Sequence, residues 1–465
     1  MSFYDTITAV STPPGKGGLA LIRVSGRDAF AVADRVFLPR GGDRLSRKRT
    51  RTAVWGGIHA PSPDGGWACV DDGIAVLFSA PRSFTGEDVA EITCHGGVLV
   101  TQTVLAATCA AGARLATAGE FTRRAFVNGK LGLAAAEALS QLLDAQTHEQ
   151  LLLARGGLDG VLTEEVRRVY EDLVAVAAAL YASIDFPDED LGEQNAEDLA
   201  AGIGAALHRV GELANTYRTG RAVTEGIRTV ICGRTNAGKS TLYNRLIGRE
   251  AAIVTAHEGT TRDLLEETVA LGGVTLRLCD TAGLRQPVHE VEVIGISRSR
   301  REIKAAELVL ALFDGSRPPG SEDQQLLALL ERHPGTVLAL LTKADLPQVA
   351  DVGPLVRAAL GDTLTISATS GTGMEALAET VRSRFLDEGI DVRHDPVAAN
   401  ARQYGALMRS AQALERTLEA FASGLSAELC CSELEVALEA LGEIDGRQVS
   451  EDVVTQIFSR FCIGK

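Results

Sequence analysis

A run of strand-forming residues, Ile227 to Cys232, leads directly into GRTNAGKS at Gly233 to Ser240, and a helical run follows from Thr241-Leu242-Tyr243. The pattern G-x-x-x-x-G-K-[ST] between a strand and a helix is a phosphate-binding loop. Its glycines let backbone N–H groups close around phosphate oxygens at a helix N-terminus, Lys239 reaches the outer phosphates, and the Ser240 hydroxyl suits Mg²⁺. Such a loop commits this part of the chain to a parallel-type α/β layer, and the neighbouring sequence agrees. A Gly272-Gly273 hairpin ending in Leu276 to Cys279, then Leu308 to Phe313, Val337 to Leu341 and Leu364 to Ile366, alternate with helical runs up to residue 385.

Further elements follow in the order a guanine-nucleotide site requires. Asp280-Thr281-Ala282-Gly283 ends a strand, where the carboxylate holds Mg²⁺ through water and the Gly283 amide senses the outermost phosphate. In Thr342-Lys343-Ala344-Asp345, Asp345 accepts two hydrogen bonds from a guanine edge that adenine does not offer, and Lys343 lays its stem on the base. Ser367-Ala368 suits the loop behind the guanine carbonyl, and Gly259-Thr260-Thr261-Arg262-Asp263 supplies a Mg²⁺-binding threonine, Thr261. Leu284 stands where Ras-like switches carry a water-orienting glutamine, so another group must orient the attacking water. Glu290 and Glu292, ahead of a helix expected near Val293, are the candidates; for Glu292 a helix-capping role is the alternative. Asn236, inside the loop, offers an amide oxygen to a monovalent cation or serves as a plain loop-stabilising amide.

The chain has 465 residues, enough for about three domains, and 45% hydrophobic with 23% charged residues places it among globular proteins. A formal charge of −15 disfavours wholesale coating by nucleic acid. One exception is Arg40 to Arg51, where Arg40, Arg44, Arg47, Lys48, Arg49 and Arg51 face only Asp43; it reads as a solvated loop, with RNA contact as the alternative. The eight cysteines form no C-x-x-C pair, which predicts reduced thiols, and MSFYDTITAV has no secretory character. Gly96 to Ala113 reads as a buried amphipathic helix rather than a membrane span. The first 120 or so residues predict a compact α/β or α+β unit with one helical stretch, while Leu131 to Thr219 and Ala398 to Phe461 have helical periodicity. Two helical blocks around an α/β segment suggest one bundle interrupted by an insertion.

At this point the residues resemble the MnmE (TrmE) tRNA-modification GTPase family from end to end. The resemblance rests on GRTNAGKS, GTTRD and DTAGLR, with DTITAVSTPPGKGGLALIRVSG, SFTGEDVAEITCHGG, GEFTRRAFVNGKLGLAAAEAL, DFPDED and the terminal FCIGK. It implies a multidomain chain: an α+β N-terminal domain similar to tetrahydrofolate-binding domains (residues 1–125), a split α-helical domain (126–219 and 388–465), and an inserted α/β Ras-like P-loop GTPase domain (220–387). It also implies a cytoplasmic homodimer whose GTPase domains pair across K⁺. The implied partner is the flavoprotein MnmG, in a heterotetramer that engages tRNA largely through MnmG and installs a carboxymethylaminomethyl-type group on the wobble uridine.

Carried onto this sequence, the resemblance places K⁺ on Asn236 and the Thr255 to Thr260 loop, including His257 through its backbone. GTP contacts then fall on Gly233, Asn236, Ala237, Gly238, Lys239, Ser240, Thr241, Thr255, Ala256, His257, Glu258, Gly259, Thr260, Thr261, Asp280, Thr281, Ala282, Gly283, Thr342, Lys343, Asp345, Ser367 and Ala368. Mg²⁺ falls on Ser240 and Thr261, and catalysis on Glu292 with Asn236. Contacts to 5-formyl-tetrahydrofolate or a related tetrahydrofolate fall on Arg23, expected at a strand edge, on Glu87, on Lys130 in a turn, and on Lys465; Cys462 matches the family's near-terminal cysteine. Thr342 departs from the asparagine usual there. Two other readings are a regulatory GTPase of ribosome assembly and a folate-dependent one-carbon transferase with an accessory GTPase. The first leaves the folate-like residues and the FCIGK tail unexplained.

Overall fold

A computed structural model describes residues 5–185, 192–250, 267–279, 301–459, 461 and 464. The chain divides into two compact units, Met1–Ser140 with Gly442–Lys465, and Gln141–Leu441.

The first unit is built on a seven-stranded sheet of β1 (Ile7–Val10), β2 (Leu19–Ser25), β3 (Phe37–Pro39), β4 (Val54–Pro61), β5 (Trp67–Phe78), β6 (Val89–His95) and β7 (Arg114–Leu115), in the order β3-β4-β5-β6-β2-β1-β7. Only the β1–β7 pairing is parallel. Alternation puts Ile22, Val24, Ile58, Ala75 and Ile92 into one core with two helices, Ala29–Val36 and Val98–Ala110. The expectation of a single helical stretch before residue 120 is therefore corrected. Ala29–Val36 is only two turns long and contains Val32 and Val36, so its local signal resembles the β-branched runs around it. Within the expected Gly96 to Ala113 segment, the helix buries Val104, Ala107 and Thr108 and leaves Val98 and Leu99 exposed.

The C-terminal segment belongs to this unit. Helix Glu451–Ser459 packs on helix Glu120–Val127, with the Phe126 and Phe458 rings 6.0 Å apart. Gly119 permits that approach: its φ is 64°, and a Cβ there would lie 2.3 Å from the Phe458 carbonyl oxygen. Farther on, the Ser11 hydroxyl donates to the Gly464 carbonyl at 3.0 Å, which holds Gly464 just past the end of β1.

In the second unit a six-stranded sheet has the order β13-β12-β11-β8-β10-β9, from β8 (Ile227–Gly233), β9 (Glu267–Leu271), β10 (Val274–Leu278), β11 (Leu308–Asp314), β12 (Thr336–Thr342) and β13 (Thr363–Thr365). All pairings are parallel except the β9–β10 hairpin. Every residue of β11, LVLALFD, is buried, as a central parallel strand covered on both faces requires. Helices Gly192–Asn215 and Ala401–Ala422, which flank this sheet in sequence, pack against each other, and the Tyr217 and Tyr404 rings stack at 4.5 Å. Local signals start two of the helices. Thr147 and Gln150 form a capping box ahead of His148–Leu158, and the Asn400 side chain accepts from the Gln403 amide ahead of Ala401–Ala422. The multidomain class expected from sequence, with an α+β unit, paired helical blocks and an intervening parallel α/β sheet, is the architecture observed.

A phosphate-loop and base-loop site

The C-terminal ends of β8, β11 and β12 and the loop after β13 carry the candidate nucleotide residues, the edge where parallel α/β sheets place their ligands. Gly233 ends β8 with φ 153°, and a Cβ there would lie 2.6 Å from the Leu312 carbonyl oxygen, so only glycine fits against β11. Gly238 has φ 99° and Asn236 φ 62°. Asparagine tolerates that left-handed conformation better than most side chains, and here it holds Asn236 exposed on the loop. Helix Lys239–Glu250 starts within the motif, with Ser240 and Thr241 exposed in its first turn. The Lys239 ammonium donates to the carbonyls of Gly233 and Arg234 at 2.8 and 2.9 Å, and burial lowers its pKa from the ordinary lysine value.

Buried Thr342, at the end of β12, joins this loop to the base motif: its hydroxyl lies 2.7 Å from the Ala237 carbonyl oxygen and 3.2 Å from that of Phe313. Lys343 follows with φ 60°, and its ammonium donates to Asp314 at 2.6 Å. Burial alone would raise the Asp314 pKa, but hydrogen bonds from Lys343 and from the Ser316 hydroxyl and amide outweigh it and hold the carboxyl low. Arg234 of the phosphate loop lies 3.7 Å from the same carboxylate and donates to Asp323 at 3.1 Å. Asp345 is exposed. Its carboxylate accepts from the Ser367 hydroxyl at 2.6 Å, which lowers its pKa, while Ser367 itself is buried and Ala368 packs partly against the core.

The structure thus gathers Gly233, Asn236, Ala237, Gly238, Lys239, Ser240, Thr241, Thr342, Lys343, Asp345, Ser367 and Ala368 at one sheet edge. Thr255, Ala256, His257, Glu258, Gly259, Thr260, Thr261, Asp280, Thr281, Ala282, Gly283 and Glu292, with Leu284 and Glu290, lie outside the described residues, as do Cys462 and Lys465. Sequence reasoning missed Arg234, Asp314 and Asp323. A signal for Asp314 was available, since a carboxylate closes the otherwise apolar run LVLALFD.

In the first unit, Arg23 lies within β2 between β1 and β6, not at a strand edge, because both neighbours pair with it. Its guanidinium donates to Glu91 at 2.9 and 2.7 Å and lies 5.5 and 5.8 Å from the Phe84 and Phe121 ring centroids. Glu87 accepts from Ser25 at 2.7 Å and from Arg124 at 3.2 Å. Lys130 is exposed, and its stem lies against Gly86, where an added Cβ would come within 3.1 Å of the Lys130 Cγ. Glu87 thus lies within the segment 83–88, and Arg23 and Lys130 border it. Sequence reasoning missed the fully buried Arg124, which bonds Asp5 and Glu120 as well as Glu87.

Family models described as "MnmE helical domain" and "GTP-binding protein TrmE N-terminus" match residues 133–462 and 6–130. The tRNA modification GTPase MnmE of Heliobacterium modesticaldum is 41% identical over 468 residues, covering 99% of each chain. The chain belongs to the MnmE family. Its MnmE relatives in Symbiobacterium thermophilum and a Roseiflexus species are 41% and 40% identical, covering 99% and 100% of each chain respectively. A solved structure of Era with MgGDPNP and ribosomal RNA overlaps 40% of this chain and 66% of that one at 23% identity, with a TM-score of 0.27, too partial an overlap to bear on the site.

Proposed function

We propose that this chain hydrolyses GTP as one component of a tRNA-modification reaction. The observation that carries the reading is the Asp345 carboxylate, oriented by Ser367 beside a phosphate loop in a chain whose full-length relatives are named tRNA modification GTPases. An exposed carboxylate held in one orientation accepts the paired N–H donors of guanine and repels the acceptor-bearing edge of adenine. Lys239, anchored by two loop carbonyls, stands at the helix N-terminus where phosphate charge is best stabilised.

In the fuller form of this reading, Mg²⁺ is held by Ser240 and Thr261, and K⁺ by Asn236 and the Thr255 to Thr260 segment, where it supplies the charge that other GTPases draw from an arginine finger. The exposed, left-handed Asn236 supports a ligand role for its amide. Glu292 orients the attacking water. The chain works as a cytosolic homodimer with the flavoprotein MnmG, which makes most of the contact with tRNA, and the product carries an aminomethyl-type group on the wobble uridine. Arg23, Glu87, Lys130 and Lys465 hold a tetrahydrofolate, which supplies one-carbon chemistry when bound. Arg23 and Lys130 suit the anionic part of such a ligand and Glu87 suits N–H donors of its ring, with the exposed Phe84 beside Arg23. Steady-state GTP hydrolysis in matched KCl and NaCl, with ATP as the control substrate, tests the reading. K⁺-dependent turnover of GTP alone is expected; equal rates in both salts overturn the K⁺ assignment, and equal turnover of ATP overturns the base assignment.

A further inference from the structure

We propose that the loop between β3 and β4, Arg40 to Arg51, is a rigid platform that binds tRNA phosphates directly. The proposal rests on the reading of the chain as a tRNA-modification component.

The loop is built rather than loose. Leu45, in a short 3₁₀ turn, is fully buried in the core of the seven-stranded sheet. Next to it, the Ser46 amide and hydroxyl donate to the two oxygens of Asp34 at 2.8 and 2.5 Å. At the far end the Arg51 amide donates to the Leu77 carbonyl at 2.7 Å, and its guanidinium to the Arg82 carbonyl at 2.8 Å. The backbone is thus tied to the sheet at its middle and its end.

The charge on that frame is only partly compensated: Arg40 lies 3.6 Å from Asp72, and the Asp34 carboxylate faces Ser46. Asp43, the one acid of the loop, sits 3.4 Å from Lys48. Arg44, Arg47 and Arg49 are exposed, and their side chains make no hydrogen bond or ion pair among the described residues. Solubility does not account for the cluster, because adding cations to a chain of net charge −15 reduces its overall repulsion. Fixing several like charges close together is unfavourable unless an anion shares the site.

The chemistry favours RNA over an acidic protein. Five of the six cations are arginines, whose planar forks match phosphate oxygens in pairs. Beside them Trp55 on β4 is 56% exposed, with the Arg40 guanidinium 4.2 Å from its ring centroid. An exposed aromatic ring next to arginines is a stacking surface for an unpaired base.

The test uses the full-length chain and a labelled, unmodified tRNA transcript, with anisotropy followed from about 50 to 200 mM KCl. Replacing Arg44, Arg47 and Arg49 together by Glu should weaken binding at least about tenfold and flatten the log–log salt slope by about 2 to 3, since each lost phosphate contact removes about 0.7 to 0.9. Trp55→Ala should weaken binding with the slope retained, and GTP hydrolysis should be unchanged in both variants. A triple Arg→Gln variant, which adds no acidic charge, should reproduce the flattened slope if the Glu variant folds poorly. Unchanged affinity and slope in the Gln variant overturn the proposal, as does a wild-type chain that hydrolyses GTP but does not bind the transcript. Loss of self-association with tRNA binding intact also overturns it and points to an acidic protein surface. If cells lacking the chain keep their full set of modified nucleosides, the tRNA-modification reading itself falls, an outcome separate from these.

Discussion

The Thr342 hydroxyl lies 2.7 Å from the carbonyl oxygen of Ala237 and so joins the base motif to the phosphate loop. A threonine hydroxyl has one proton, and the shorter contact takes most of it; the Phe313 carbonyl at 3.2 Å takes the remainder. An asparagine in its place would present an amide that donates in the same way. Thr342→Val keeps the shape, removes the donor and leaves a buried carbonyl unpaired, at about 1 to 3 kcal/mol. With a fluorescent GTP analogue, Thr342→Val should bind at least about tenfold more weakly, while Thr342→Asn should stay near wild type. Equal affinity in all three proteins would remove the bridge from the account.

Asp314 serves the same two loops through charge. It receives the Lys343 ammonium and two bonds from Ser316, and Arg234 stands nearby. Asp314→Asn leaves the Lys343 ammonium with a neutral partner while Arg234 keeps Asp323, which should cost on the order of 2 kcal/mol and lower the thermal midpoint by several degrees. Asp314→Asn combined with Lys343→Met should recover part of that loss, because the uncompensated ammonium is gone. Thermal melts of the two variants check this, and additive losses would contradict it.

Parts of this site were readable in the sequence because their signals are local. Gly233 to Ser240 must follow a strand and open a helix, and the apolar runs at β11 and β12 have the length and composition of buried parallel strands. The links between loops were not readable. Arg234, Asp314 and Lys343 are far apart in sequence, and only the strand order β12-β11-β8 brings them together. The same reason hid Arg124, whose carboxylate partners come from the chain start, the segment after β5 and its own helix. The placement of Arg23 at a strand edge failed because edge or interior is decided by pairing on both sides, which one strand does not encode.

Glu120 sets an acid limit on the first unit. Burial raises its pKa, but hydrogen bonds from Arg114, the Thr117 amide and Arg124 dominate and bring it down to about 2 from an ordinary 4.5. A depressed carboxylate stabilises the fold fully above its unfolded pKa and loses that contribution as pH falls through the window from about 4.5 to about 2. The amount at stake is on the order of 3 kcal/mol. Melting temperature should fall steeply below about pH 4.5, and Glu120→Gln should melt lower at neutral pH with a shallower acid slope. Parallel acid slopes would assign the acid sensitivity elsewhere.

In the proposed function Asp345 decides the base. Asp345→Asn replaces an acceptor pair by one acceptor and one donor, which suits the xanthine edge better than the guanine edge. Competition binding should show GTP affinity falling at least about a hundredfold and xanthosine triphosphate affinity rising, with the melting temperature of the nucleotide-free protein unchanged. Retained GTP preference would place the specificity on another residue.

In the proposed function, hydrolysis of the nucleotide held by Lys239 serves tRNA modification. The most direct test is mass-spectrometric nucleoside analysis of tRNA from a strain lacking the chain, complemented with wild type or with Lys239→Ala expressed at equal level. The deletion strain should lose a modified wobble uridine, wild type should restore it, and Lys239→Ala should not. An unchanged set of nucleosides in the deletion strain, or full restoration by Lys239→Ala, would contradict that function.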